Sequence, residues 1–162
     1  MAKTTSPKQN PALKHLERRQ TMATRILVVN DTQEILELFR SFLEEEEGYE
    51  VVLAGSPMQH IKDVQHINPD LIILDLVFGD EKTGWQMLQM LKMQRSTATI
   101  PVIVCTAALD LIREQEGYLV SQGVHVLYKP FDLDHLRANV KQLLASHEHF
   151  SSVIEEERKK NK

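Results

Sequence analysis

A chain of 162 residues, 42% hydrophobic and 26% charged, has the make-up of one soluble globular domain of ordinary size. Its net charge of −4 is uneven: residues 1–25 hold six Lys or Arg against one Glu, a local +5, which leaves −9 on residues 26–162. An acidic body argues against nucleic acid as the main ligand. Apolar runs of four or five residues are too short to span a membrane, and the N-terminus lacks the apolar stretch of a secretory signal. The single Cys105 sits in the run Val102-Ile103-Val104-Cys105, cannot form an internal disulfide, and reads as a core thiol in a reducing cytoplasm.

Residues 1–24 read as a flexible extension, broken by Ser6-Pro7 and Asn10-Pro11, with only Leu13, Leu16 and Met22 as a thin helical stripe. The domain itself is expected over 25–147. Arg25-Ile26-Leu27-Val28-Val29 is a buried-strand run ending at Asn30-Asp31-Thr32. Thr32 or Asp31 can cap the next helix, whose stripe is Ile35, Leu38, Phe39, Phe42 and Leu43. Glu44 to Glu47 then read as a solvated helix end stopped by Gly48. Glu50–Ala54 is the second strand. Ser56 as cap and Pro57 in the first turn predict a second helix carrying Met58, Ile61 and Val64, broken by Asn68-Pro69.

Leu71-Ile72-Ile73-Leu74 is the third strand, and it runs straight into Asp75. A short continuous apolar run between turn signals suits a strand buried on both faces of a parallel sheet. A carboxylate at its end costs several kcal/mol of desolvation unless something pairs with it. After a loop to Gly84, the stretch Trp85 to Arg95 predicts a helix whose methionines fill core gaps. Ile100–Cys105 is the fourth strand, ending at Thr106-Ala107-Ala108, and Leu109 to Gln122 a helix stopped by Gly123. Val124–Tyr128 is the fifth strand, followed by Lys129-Pro130-Phe131. Asp132 caps a last helix along Leu133, Leu136, Val140, Leu143 and Leu144, and residues 148–162 read as a polar tail.

Five alternations of strand and helix predict an α/β fold: a doubly wound, five-stranded parallel sheet with helices on both faces. In the order 2-1-3-4-5, the first and third strands are neighbours at the switch point, so Asp31 and Asp75 would lie close together. Facing carboxylates repel and call for a hard divalent cation such as Mg2+. A hydroxyl (Thr106) and an ammonium (Lys129) on the same edge suit phosphate oxygens, with Asp75 as nucleophile.

Those residues carry a resemblance. Over roughly residues 24–147 the chain resembles the receiver domain of two-component response regulators. The matching stretches are Ile26–Asp31, Asp70–Leu76, Pro101–Ala107 and Lys129-Pro130-Phe131. The resemblance implies a flavodoxin-like fold and phosphorelay signalling as a phosphoprotein. Asp75 would take a phosphoryl group from a histidine kinase or phosphotransfer protein. Mg2+ would be held by Asp31, Asp75 and the backbone carbonyl of Val77, with Asn30 acting through a water. Thr106, Ala107 and Lys129 would contact the phosphoryl group, and Lys129-Pro130 is a candidate cis peptide. Three features depart from the family pattern. Asn30 stands where an acid is usual. The loop after Asp75 reads Phe78-Gly79 and is one residue longer to Gly84. Val126 replaces the switch aromatic, leaving Tyr128 as the candidate and His125 as a surface residue.

With no second domain read after Lys162, the chain is expected to act alone through a protein contact. That contact would be a downstream partner or a second copy docking on the face of the fourth and fifth strands and their helices. Three other readings compete. A scaffold that no longer takes phosphate is one. A dehalogenase-type phosphatase would need a second Asp where Val77 stands. A flavodoxin-type electron carrier would not place acids against a flavin phosphate.

Overall fold

The computed structural model describes residues 23–160. The expectations for the N-terminal extension, including Leu13, Leu16 and Met22, lie outside the described residues. Five parallel strands form one sheet: β1 (Arg25–Val29), β2 (Glu50–Ala54), β3 (Leu71–Leu74), β4 (Val102–Thr106) and β5 (His125–Tyr128). Their order is β2-β1-β3-β4-β5, as the sequence predicts.

Strand alternation builds two cores. Ile26, Val28, Leu71, Ile73 and Ile103 face one way, toward α1 (Gln33–Arg40), the π-helical turn that continues it (Ser41–Glu46), and α5 (Leu133–Lys160). Leu27, Val29, Ile72, Leu74, Val102 and Val104 face the other, toward α2 (Ile61–Ile67), α3 (Thr83–Met93) and α4 (Leu109–Ser121). Each such side chain contributes about 1.5–3 kcal/mol when fully buried. Covered on both faces, β3 is apolar at every position and β4 at every position before Thr106, which is why their sequences show no alternation. Cys105 is buried in the first core, and burial pushes its thiol up to about 12, so it is no nucleophile near neutral pH.

Three local expectations are corrected. The second helix begins at Ile61 after His60, not at Ser56-Pro57. Ser56 is exposed, and the Met58 amide is drawn 3.4 Å from Met87 Sδ, so residues 55–60 pack as a loop against α3. The acidic run is not simply a solvated end. Glu44 Oε1 accepts the Val51 amide at 3.3 Å, while Glu47 pairs with Arg137 and Lys141 of α5. Those partners lie some 90 residues away, beyond the reach of local pattern. Finally, α5 continues without a break past residue 147 to Lys160, where a polar tail was expected.

The Arg137 guanidinium, which also lies over the Phe42 ring, holds the Glu47 carboxyl below its ordinary value. A depressed carboxylate stabilises the fold above its unfolded pKa, and that contribution fades as pH falls through the folded value. Arg137→Met should therefore lower Tm near neutrality, with the gap to the parent closing as pH drops through the carboxylate range. A gap that does not change with pH would assign Arg137 to packing on Phe42 alone.

Candidate functional site

The register of β1 and β3 places Val29 opposite Leu74, so the next residues of both strands emerge side by side at the carboxyl edge. The Asp75 amide donates to Val29 O at 3.1 Å, and the Asn30 amide to Ala54 O at 3.0 Å, carrying the ladder to the end of the sheet. Asp75 is only 7% exposed. Its Oδ2 accepts the Lys129 ammonium at 2.7 Å and the Asn30 amide nitrogen at 3.4 Å, and its Oδ1 accepts the Val77 amide at 3.3 Å. A carboxylate out of water is thus met by one full charge and two N–H donors, which offsets its desolvation.

Lys129 is held from behind: its amide donates to Thr106 O at 3.0 Å, and the Lys129–Pro130 peptide is cis. Thr106 is buried, and its Oγ accepts the Ala108 amide at 3.1 Å, while Ala107 is exposed. Tyr128 is Thr106's register partner on β5 and is exposed, whereas Val126 packs against the second core. His125 is half-buried, with Nδ1 2.9 Å from Asn139 Oδ1 of α5.

Asp31 is exposed, and its Oδ2 accepts the Gly79 amide at 3.3 Å. The longer loop after Asp75 closes through paired hydrogen bonds between Phe78 and Glu81, 2.9 and 3.0 Å, with Gly79 at φ +58°. That turn aims the Gly79 amide at Asp31 and links the two acidic strand ends. Val77 and Ala108 line a cleft of about 450 Å³ with Lys82, Leu109 and Arg113.

Two further roles escaped the sequence reading. Asn30 is a buried donor to Asp75, and its Oδ1 accepts the Thr32 amide at 2.8 Å, while Thr32, at the N-cap of α1, makes no side-chain cap bond. Gly84 is the second. A Cβ there would lie 1.9 Å from the Asp75 carbonyl oxygen and 2.8 Å from Leu76 Cα, so the start of α3 rests directly on the backbone of Asp75. The next residue seals the contact, its amide donating to Leu76 O at 3.1 Å. The odd spacing of Gly84 in the loop was the one available signal.

Among the described residues no group of three or more His, Cys, Asp or Glu forms a metal cage. The donors available are two carboxylates, a backbone carbonyl and an amide, all hard oxygens. That set fits Mg2+, which keeps waters and shares a substrate phosphate, and does not fit zinc or a soft metal. Among the described residues no helix is long and apolar enough to cross a membrane.

A doubly wound sheet with acids at its switch point, and a lysine reaching the central aspartate from the last strand, defines a signalling domain of the receiver class. The response regulator receiver domain model matches residues 26–141, and the chain belongs to that family of two-component systems. It is 30% identical over 128 residues to the DNA-binding response regulator MtrA of Mycolicibacterium smegmatis, covering 79% of this chain and 54% of that one. It is 32% identical over 120 residues to the response regulator Rre1 of Synechocystis sp., covering 74% and 51%. The chain thus spans about half the length of these curated relatives. Among solved structures, the signal receiver domain of a Luxo repressor protein from Vibrio parahaemolyticus superposes with a TM-score of 0.68 at 25% identity, covering 82% of this chain and 98% of that one. The CheY-like receiver domain protein from Methanospirillum hungatei gives 0.68 at 25%, covering 79% and 98%.

Proposed function

We propose that Asp75 accepts a phosphoryl group from a histidine kinase or phosphotransfer protein in a Mg2+-dependent reaction, and that the phosphorylated domain signals through a protein contact. The observation that carries this reading is the 2.7 Å pairing of Lys129 with a nearly buried Asp75. An Asp75 oxygen attacks phosphorus as the donor's P–N bond breaks. The Lys129 ammonium, already aimed at this carboxylate, meets the charge gathering on the phosphoryl oxygens. The Thr106 hydroxyl, one strand over, leaves its bond with Ala108 to donate to a phosphoryl oxygen, with the Ala107 amide beside it. Mg2+, when bound by Asp31, Asp75 and the Val77 carbonyl, supplies charge neutralisation on the same oxygens. Asn30 Oδ1 keeps a second lone pair for a metal-held water. Tyr128, exposed opposite Thr106, is positioned to report the state of the site on the β4–β5 face, where a downstream protein or a second copy would dock. The −9 charge of residues 26–162 favours protein over nucleic acid as the contact of this domain.

Incubation with a small acyl phosphate and Mg2+, read by intact mass, tests the proposal. The parent gains one phosphoryl group and Asp75→Asn gains none. No gain at saturating Mg2+ would favour a phosphate-independent scaffold. The phosphoryl group should also be long-lived. Val77 and Ala108 flank the site and are apolar, so neither orients an attacking water. Decay in excess Mg2+ is expected over minutes or longer, and Val77→Gln should speed it roughly tenfold or more by supplying a polar group for that water. Loss from the parent within seconds would refute the expectation.

A further inference from the structure

The last helix outruns its sheet. A helix of 28 residues is about 42 Å long, whereas a five-residue strand is about 16 Å. Descending from the carboxyl edge, α5 meets Glu47 through Arg137 and Lys141. Glu47 lies between the π-helical turn and β2, at the opposite, amino end of the strands. Both hydrophobic cores, among the described residues, take in nothing of α5 beyond Leu144. Residues 145–160 therefore project about 24 Å past the amino end of the sheet.

This projection is amphipathic, not uniformly polar. Leu136, Val140 and Leu143 are buried, and the same spacing of threes and fours continues through Phe150 and Ile154. Phe150 is 57% exposed and Val153 41%. A stretch this short is a marginal helix in water by itself, so a covered apolar face would be what keeps it wound. Its charge is patterned as well: Glu148 and Glu155–Glu157 are followed by Arg158, Lys159 and Lys160 in the last turn, a net of −1 over residues 145–160.

The chain entering β1 starts from the same end. Thr24 O accepts the Glu50 amide at 2.9 Å where β1 and β2 begin, so the chain enters β1 at the end of the sheet past which α5 projects. Residues 1–22 hold five Lys or Arg against one Glu, a net of +4 opposite in sign to Glu148 and Glu155–Glu157, and their apolar residues include Leu13 and Leu16. We infer that the N-terminal segment 1–22 docks on the projecting end of α5 of its own chain. Leucines would cover the Phe150–Ile154 face, and the basic side chains would meet Glu148 and Glu155–Glu157. The tether places the segment at high effective concentration, which a separate partner lacks. The inference does not depend on phosphorylation of Asp75.

A nitroxide on Leu13→Cys in the full chain tests this, since Cys105 is buried and unreactive. Amide signals of residues 147–157 should broaden, while those of α3 stay sharp. In a one-to-one mixture of labelled, unenriched chain and unlabelled, isotope-enriched chain, no broadening should appear. Reversing Arg18→Glu and Arg19→Glu should speed hydrogen exchange over residues 147–157 about tenfold without altering the sheet. Adding Glu156→Lys and Glu157→Lys should restore protection. Broadening in the mixture would place a second copy on the face and overturn the inference. Unchanged α5 signals with either variant would overturn it too.

Discussion

Lys129→Met is expected to slow phosphoryl gain at Asp75 by about a hundredfold or more, the typical loss when one preorganised charge-stabilising donor is removed. Among the described residues, Lys129 is the one full positive charge bonded to the Asp75 carboxylate, at 2.7 Å, and its own backbone is anchored to Thr106 O. Methionine keeps the length and apolar stem, so β5 and its turn should hold. The measurement is the initial rate of mass gain with a small acyl phosphate at saturating Mg2+. Folding is followed in parallel by near-UV circular dichroism. Lys129→Arg separates charge from shape, because it keeps the charge but spreads it over a planar fork that a single-point contact does not match. Intermediate activity is expected for it. Full activity in the methionine variant would show that the ammonium only offsets the buried carboxylate.

Gly84→Ala is expected to destabilise the fold by about 3 kcal/mol, because the added methyl must overlap backbone and not a movable side chain. Its Cβ would sit 1.9 Å from the Asp75 carbonyl oxygen, 2.9 Å from the same carbonyl carbon and 2.8 Å from Leu76 Cα. Relief requires that α3 lift from the sheet edge or that the loop carrying Asp75 move. The second route displaces the phosphoacceptor. For a chain of this size the cost corresponds to a Tm drop of roughly 6–12 °C. A thermal melt reads the first effect, and the phosphorylation rate of the fraction still folded reads the second. Gly79→Ala is the contrast. Nothing lies within 4 Å of its added methyl, so its penalty comes only from φ +58° and should be smaller. Equal penalties for the two would contradict the close-approach explanation.

The sheet was readable from the sequence because its physics is local. Strands buried on both faces must be apolar at every position, so Ile26–Val29, Leu71–Leu74 and Val102–Cys105 announce themselves without any partner in view. Strand and helix in alternation leave few topologies, so the strand order, and with it the neighbouring carboxyl ends of β1 and β3, followed from the same pattern. Only the tertiary structure could decide what depends on distant chain segments meeting. Asn30 turned from a missing acid into a donor 3.4 Å from Asp75. Gly84 became a contact surface for the Asp75 backbone, the acidic run at 44–47 found Arg137, and α5 held its winding beyond the sheet. Each is a matter of separations in space between residues far apart in the chain, which periodicity and propensity do not carry.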